Sequence, residues 1–183
     1  MTDKKINGLI EHNQNLNKII LESLEESLTN LMKHKSYQLI SITELCMHAG
    51  VSRMAFYNNY QSKDNLLKSI IIKSTQTIIT NIGSPFRQII TEEWFVKLFK
   101  EVNHFSETLK LIFDAGLEYT YLSVINEIVL QDKSLSSLVR ISRLTWVGGI
   151  INTIIYWIKS QKKETISEIA SFCYNSFSKQ TQI

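Results

Sequence analysis

The fold is decided by one stretch, which reads Ser41-Ile-Thr-Glu-Leu-Cys-Met-His-Ala-Gly-Val-Ser-Arg-Met-Ala-Phe-Tyr-Asn-Asn-Tyr-Gln-Ser-Lys-Asp-Asn-Leu-Leu67. A first short helix can begin behind a hydroxyl residue, at Ser41 or Thr43, and Gly50 follows its end. Ser52 can cap a second short helix over about residues 53–58, because a serine oxygen accepts a hydrogen bond from the free N–H groups of a first turn. The pattern predicts two short helices joined by a tight turn at the glycine.

Four apolar residues of this stretch are placed to hold the two helices together, and the small residue Cys46 lets them approach closely. They are Leu45, Ala49, Val51 and Phe56. The arrangement is that of a helix-turn-helix, whose second helix enters the DNA major groove with its exposed N-terminal residues on base edges. A helix–glycine–helix corner also occurs in ordinary helical proteins, so periodicity alone leaves both interpretations open.

The same stretch resembles the DNA-binding segment of TetR-family transcriptional regulators. The matching positions are Thr43, Ala49-Gly50-Val51-Ser52, Phe56-Tyr57, Tyr60, Ser62-Lys63-Asp64 and Leu66-Leu67. Beyond it, Val147-Gly148-Gly149-Ile150 followed by Trp157 is similar to the penultimate helix of one subgroup of the family. The rest of the chain resembles the family in length and helical layout, so the resemblance implies an all-α regulator that binds DNA as a homodimer.

The resemblance implies a role for each residue at the matching positions. It puts Arg53, Met54, Ala55 and Asn59 on bases, Tyr57 and Lys63 on phosphates, and Thr43 at a phosphate-facing helix start. The chemistry agrees, since arginine pairs with guanine, alanine touches the thymine methyl group, and Asn58 or Asn59 can pair with adenine. Asn58-Asn59 stands where the family commonly has an aromatic residue or histidine, and Met54 is bulky, so the operator sequence stays open. The predicted DNA-binding set is Thr43, Ser52, Arg53, Met54, Ala55, Tyr57, Asn58, Asn59 and Lys63.

Composition supports a mostly helical protein and excludes several other classes. Among 183 residues, 44% are hydrophobic, and one proline and six glycines are too few for the turns of an all-β fold. The net charge of +3 is small, but the stretch from Lys33 to Lys68 holds five basic and two acidic residues, an excess of +3 around the helix-turn-helix. We expect no enzyme, no cofactor and no metal site, because neither a nucleophile–base pattern nor a ligand cluster is present.

The protein is expected to be cytoplasmic. The two cysteines fit a reducing compartment, and no signal peptide is expected. The uncharged run 144–158 is shorter than the roughly twenty residues of a membrane span, so it predicts a buried helix and no membrane partner.

Helical spacing and capping residues divide the chain into three parts. Residues 1–62 form the predicted helix-turn-helix DNA-binding domain, 63–80 a connecting helix, and 81–183 a helical ligand-binding and dimerisation domain. The first 13 residues are expected to be an arm. Pro85 is the best candidate for a boundary in the chain and is compatible with a first helical position. Further helices are predicted near 91–103, 106–114, 117–131, 137–160 and 165–178.

Two further sites are predicted in the third part. The resemblance implies an effector pocket for a small hydrophobic or aromatic molecule, and the candidate lining is Phe95, Phe99, Phe113, Tyr119 and Trp146. The runs 144–158 and 166–177 are the candidate dimer helices, with Gly148, Ile151, Ile155, Ile169 and Phe172 at the interface. The alternatives are plain core aromatics and a buried central helix in a monomer.

The predicted function is that of a repressor which a small effector releases from a near-palindromic operator in double-stranded DNA. The alternative is a TetR-like dimer whose C-terminal domain binds a protein partner, such as a coactivator, instead of a small molecule. A cavity with converging polar groups would favour the first interpretation, and a solid core with an exposed apolar patch the second.

Overall fold

The computed structural model describes residues 2–177, with side chains from Glu11 onward, and this part of the chain is all-α, as predicted. A 3₁₀ turn, Tyr37–Leu39, follows the first helix. The helices are α1 Thr2–Met32, α2 Ile42–Ala49, α3 Arg53–Asn59, α4 Lys63–Ile82, α5 Glu92–His104, α6 Ser106–Asp114, α7 Glu118–Val129, α8 Ser137–Lys159 and α9 Ile166–Phe177. Residue 178 of the last predicted helix, and residues 178–183 of the third predicted part, lie outside the described residues.

One local expectation is wrong, and the position of Pro85, which the sequence left open, is decided by the structure. Residues 2–13 are the start of α1 and not an arm, since this polar stretch contains no proline to end a helix. Pro85 does not begin a helix: it is the second residue of a turn in which the Arg87 N–H donates to the Ser84 carbonyl at 3.2 Å. The fixed φ of proline suits that turn position equally well.

The chain divides into two compact units, Met1–Ile70 and Ile71–Ile183, and the division falls within α4. In the first unit, α1 packs against both α2 and α3. Its fully buried side chains include Leu24 and Leu28 of α1, Leu45 of α2 and Phe56 of α3. Each such side chain contributes about 1.5–3 kcal/mol of hydrophobic free energy, so the two short helices are held mainly by this contact.

In the second unit, α5 packs against α9, and α8 packs against α6 and α7. Its core is aromatic: Phe95, Phe99, Phe113 and Trp157 are almost completely buried, and Phe99 meets Trp157 edge to face at 5.3 Å between ring centroids. Edge-to-face pairs of this kind add to the free energy of area burial.

Among the described residues, α8 is the one helix that is long and apolar enough to cross a membrane by length and composition. Its position in the second unit accounts for part of that hydropathy, because one side of the helix carries seven buried residues. They are Trp146, Val147, Ile150, Ile151, Ile154, Trp157 and Ile158. Leu138, Ile141 and Tyr156 of the same helix are exposed, so α8 has a second apolar face outside the core of its own unit.

Gly149 sets how closely the Phe177 ring can approach α8. A Cβ atom added at Gly149 would lie 2.5 Å from Phe177 Cε1, closer than carbon atoms pack. We therefore expect Gly149→Ala to lower the free energy of unfolding by about 1–3 kcal/mol, as overpacking does.

The matched control is the same substitution in a Phe177→Ala background, where the obstruction is gone. There, Gly149→Ala should raise stability by up to about 1 kcal/mol, because alanine favours the helix over glycine. Urea unfolding of the four proteins gives the coupling between the two positions. Equal effects of Gly149→Ala in both backgrounds would show that the contact is unimportant.

Candidate nucleic-acid interface and ligand cavity

The turn between α2 and α3 has the predicted caps. The Ser41 Oγ accepts a hydrogen bond from the Glu44 N–H, and the Ser52 Oγ accepts one from the Ala55 N–H, each at 3.1 Å. Gly50 has φ +66°, a left-handed conformation that side chains disfavour, and it lets the Val51 N–H reach the Cys46 carbonyl at 2.9 Å. The two helices form the expected helix-turn-helix.

The orientation of α3 follows from the complete burial of Phe56. Since successive helical residues are about 100° apart, burying Phe56 turns the opposite side of the helix outward. That outward face consists of Arg53, Met54, Tyr57 and Asn58, which are all exposed, Met54 by 75% and Tyr57 by 46%. We call these four residues the α3 face.

The remaining residues of the predicted set lie beside the α3 face or at helix starts. Ala55 and Asn59 are half-buried at its flank, and the Asn59 Nδ2 donates to the Ala55 carbonyl at 2.8 Å. Asn58 has no such bond and is exposed, so its amide is better placed than that of Asn59 to pair with a base. Ser52 and Thr43 are exposed in the caps and first turns of α3 and α2.

Lys63 is half-buried and has partners inside its own unit. Its Nζ donates to the carbonyl oxygens of Tyr37 and, at 2.8 Å, of Ile40, and it lies 4.3 Å from the Tyr37 ring centroid. Burial lowers the pKa of Lys63. An ammonium group has three donors, so this arrangement leaves one for a phosphate. The residue therefore connects the start of α4 to the turn after α1.

Tyr37 strengthens the same connection through its hydroxyl group. The hydroxyl donates to Asp64 Oδ1 at 2.5 Å, and burial, with Asp64 beside it, raises the pKa of Tyr37.

The basic excess of residues 33–68 is partly neutralised within the first unit, since Lys35 forms an ion pair with Glu44 at 2.8 Å. The hydrogen bond from Lys35 lowers the pKa of Glu44. Arg53 and Lys33 remain exposed cations.

Replacing Lys63 by methionine should destabilise the first unit. The substitution leaves the Ile40 carbonyl without its donor, and the Tyr37 carbonyl keeps only the Ile40 N–H at 3.2 Å. The loss costs roughly 1–3 kcal/mol, while methionine keeps most of the side-chain volume. Urea unfolding should show the loss, and amide hydrogen exchange in α2 and α3 should accelerate. Lys33→Met, at an exposed lysine, is the control and should change stability by less than about 0.5 kcal/mol. An equal loss in both variants would contradict the structural role of Lys63.

The second unit contains a cavity of about 420 Å³. Its wall is formed by α4, α5, α7 and α8, together with the turn at residues 84–87. Most of the lining is apolar, and a smaller group of lining residues is polar: Thr75, Ser84, Arg87, Tyr121, Gln131, Asp132 and Arg143. Apolar walls with a few polar groups are typical of sites for small organic ligands.

The predicted lining agrees with this cavity at one residue, Trp146. Phe95, Phe99 and Phe113 belong to the core and do not line the cavity, and Tyr119 is 82% exposed. Tyr121 lines the wall in place of Tyr119, because two residues along a helix are about 200° apart. Aromatic spacing identified core positions, whereas the polar lining residues were missed; a signal for one of them is the charge of Arg143, directly before the uncharged run 144–158.

Two polar groups of the wall are buried. The Tyr121 hydroxyl shares a hydrogen bond with Thr75, and burial raises the pKa of Tyr121 to about 12, so it is neutral at physiological pH. Trp146 differs from the other two tryptophans. Trp94 and Trp157 donate their indole N–H to the carbonyls of Gly83 and Glu164, at 3.2 and 2.9 Å. The buried Trp146 N–H meets no acceptor in the described chain.

The residues predicted at a dimer interface are not on one surface. Ile151 and Ile169 are buried within their own unit, and Ile151 lines the cavity, so neither offers a surface to a partner. Gly148 and Ile155 are half-buried, and Phe172 is 59% exposed. The cause is that the sequence shows these helices to be apolar but not which of their faces packs inside the second unit. Ile151 and Ile169 lie on the faces that do.

Metal binding has no candidate in the described chain: no group of three or more His, Cys, Asp or Glu side chains there is arranged to hold an ion. Cys46 and Cys173 are buried free thiols, and burial raises the pKa of the Cys173 thiol to about 12.

The chain is similar to known proteins in structure, but a search by sequence finds no match. No protein-family model matches the chain, and no curated protein sequence matches it. Among solved structures, the dihydroxyacetone kinase operon activator DhaS is 18% identical, with 89% of this chain and 96% of that chain covered and a TM-score of 0.57.

Two further similar structures carry the family name. A TetR-family transcriptional regulator from Streptomyces coelicolor is 14% identical over 88% of this chain and 79% of that chain, with a TM-score of 0.53. Thermus thermophilus FadR, a TetR-family repressor solved in complex with lauroyl-CoA, is 12% identical over 89% and 95%, with a TM-score of 0.50. The resemblance predicted from residues 41–67 is confirmed at the level of the fold: the chain has the fold of TetR-family regulators.

Proposed function

We propose that this protein is a sequence-specific DNA-binding transcriptional regulator, a repressor whose affinity for its operator depends on a small molecule bound in the second unit. The observation that carries the proposal is the α3 face. It presents an arginine, a tyrosine hydroxyl and an asparagine amide on the outside of a capped helix in a helix-turn-helix. These groups supply base-edge and phosphate contacts.

Within the proposed interface, each residue has the role that its exposure allows. Arg53 pairs with guanine O6 and N7, Asn58 with adenine, and Met54 contacts a thymine methyl group. Tyr57 and Thr43 donate to phosphates. The free N–H groups in the first turn of α2, and in the first turn of α3 beside Ser52, do so as well. Ala55 and Asn59 stand at the edge of the interface, and Lys63 adds its remaining N–H to a phosphate.

We expect this protein to bind DNA as a dimer, because one α3 face of four residues is small. Two such faces on a homodimer would enter successive major grooves about 34–36 Å apart, and the operator would be near-palindromic. We assign the outer face of α8, with Leu138, Ile141, Gly148 and Tyr156, and Phe172 of α9 to the dimer contact. The support is that the apolar side chains of Leu138, Ile141, Tyr156 and Phe172 are exposed in the single chain, and burial against a second copy would remove them from water.

The cavity favours a small-molecule effector over a protein partner for the second unit. Its volume of about 420 Å³ lies in the range of small-ligand sites, and a few polar residues line an otherwise mostly apolar space. An effector that binds one spacing of the dimer better than the other would change DNA affinity by that difference in binding free energy. One similar structure is described as an activator and another as a repressor. For this chain we propose a cytoplasmic repressor, because a dimer covering an operator needs no further partner to block it.

The α3 face is tested by gel-shift titration on a duplex selected from a random pool, at one fixed salt concentration, since affinity for DNA depends strongly on salt. Arg53→Ala should cost roughly 1–3 kcal/mol on the selected duplex and relax preference at one base pair. Tyr57→Phe removes a phosphate donor, so it should weaken binding to every duplex alike by about 0.5–1.5 kcal/mol.

The control for lost charge is Lys133→Ala, which removes an exposed cation from the second unit and should leave affinity nearly unchanged. If Arg53→Ala and Tyr57→Phe bind every duplex as tightly as the parent protein, the proposed function is wrong.

The dimer contact is tested by sedimentation velocity. Phe172→Glu should convert dimers into monomers, because association would bury an unpaired carboxylate. Tyr119→Glu changes an exposed aromatic residue of α7 in the same way and should leave the dimer intact. A parent protein that sediments as a monomer at micromolar concentration would refute the assignment, as would a Phe172→Glu variant that remains dimeric.

A further inference from the structure

The α8 side of the cavity has one polar end and an apolar remainder. Arg143 lies at the N-terminal end of this wall, and Trp146, Val147, Ile150, Ile151 and Ile154 follow it at helical spacing. At 1.5 Å per residue, the wall from Arg143 to Ile154 is about 16 Å long. A ligand that fits it is elongated, with a polar group at one end.

Arg143 has donors that its contacts within the chain leave unused. Its guanidinium lies over the Phe86 ring, 4.8 Å from the centroid, and its Nη1 makes a long contact of 3.4 Å to the Val129 carbonyl. Among residues 11–177 no ion pair of Arg143 is found, and its charge acts on the Asp132 carboxylate at longer range. A half-buried guanidinium with unused donors is a site for a carboxylate, which it binds with two parallel hydrogen bonds.

The other polar groups at this end of the wall agree with an anionic ligand. The acidic lining residue Asp132 already accepts hydrogen bonds from the Ser134 N–H and hydroxyl, at 2.9 and 2.6 Å. These two bonds lower the pKa of Asp132, and the charges of Arg143 and Arg140 lower it further, so Asp132 stays charged. Arg87 and Arg143 of the lining therefore leave a net charge of +1 there. Trp146 contributes a buried N–H without an acceptor. The unmatched groups of the wall are therefore donors, which call for an acceptor.

We propose that the cavity binds a linear aliphatic carboxylic acid, with the carboxylate on Arg143 and the hydrocarbon chain along Ile150, Ile151 and Ile154. This inference rests on the proposed function in one respect, because it gives the chemical class of the effector. The site itself is independent of DNA, and binding to it is measured without DNA.

The experiment is calorimetric titration of the full chain with hexanoate, octanoate and decanoate, with tryptophan fluorescence as a second readout. Decanoate should bind best, and each added methylene group should raise affinity roughly fourfold. Arg143→Gln should lower decanoate affinity roughly 10- to 100-fold, the loss expected for a hydrogen-bonded charge pair. Arg143→Lys keeps the charge without the two-donor geometry. Its decanoate affinity should lie between those of the parent protein and Arg143→Gln.

Arg140→Gln is the matched control. Arg140 lies one turn earlier in α8, and its guanidinium donates to the carbonyls of Leu135 and Asp132 at 3.1 and 3.2 Å, outside the cavity lining. Its loss removes the same charge from the same helix and should lower decanoate affinity far less than Arg143→Gln does. Ile150→Trp fills the apolar part of the cavity and should abolish binding, and thermal melting shows whether each variant is folded.

Several results would overturn the proposal: no binding of decanoate, equal affinity of Arg143→Gln and the parent protein, or tighter binding of decyltrimethylammonium. Decanoyl-coenzyme A binding more tightly than decanoate, with the same loss in Arg143→Gln, would overturn the free carboxylate as the head group. A protein that binds decanoate but no DNA duplex refutes the proposed regulator and leaves the acid site standing. A protein that binds DNA but no acid refutes the acid site alone.

Discussion

The burial of Phe56 is the contact on which the first unit depends. A helix of seven residues is too short to be stable in water by itself, so α3 exists because its one large apolar side chain is enclosed by the rest of the unit. The caps at Ser41 and Ser52 and the left-handed Gly50 define where each short helix begins and ends. Once Phe56 is inside, Arg53, Met54, Tyr57 and Asn58 must be outside, and the surface proposed to read DNA is a consequence of core packing.

The start of α4 is attached to the same unit by a partly buried polar cluster. Lys63 donates to two carbonyls of the turn after α1, and Tyr37 donates to Asp64. Hydrogen bonds of partly buried charged groups are costly to break, since the freed partners stay away from water. Lys63 therefore contributes to holding the helix-turn-helix together, in addition to the phosphate contact proposed for it.

In the second unit, α8 has two apolar faces with different surroundings. One face supplies core residues and the wall of the cavity, from Arg143 to Ile154, and the other leaves Leu138, Ile141 and Tyr156 exposed. This division explains why a helix apolar enough to cross a membrane can belong to a compact unit of this chain. It also places the proposed ligand contact and the proposed dimer contact on opposite sides of one helix, where a ligand that shifts α8 would act on both.

Sequence alone determined the helical class, most helix limits and the helix-turn-helix, because these depend on local signals: hydroxyl caps, a glycine in the turn and apolar residues at helical spacing. It did not identify the cavity lining or separate Ile151 and Ile169 from exposed positions. Periodicity shows that a residue is apolar and on a given face, but not which neighbour covers that face. Tertiary packing decided that Phe95, Phe99 and Phe113 fill the core, that Tyr121 replaces Tyr119 in the wall, and that Arg143 forms no ion pair in the described chain, because each depends on residues distant in the chain.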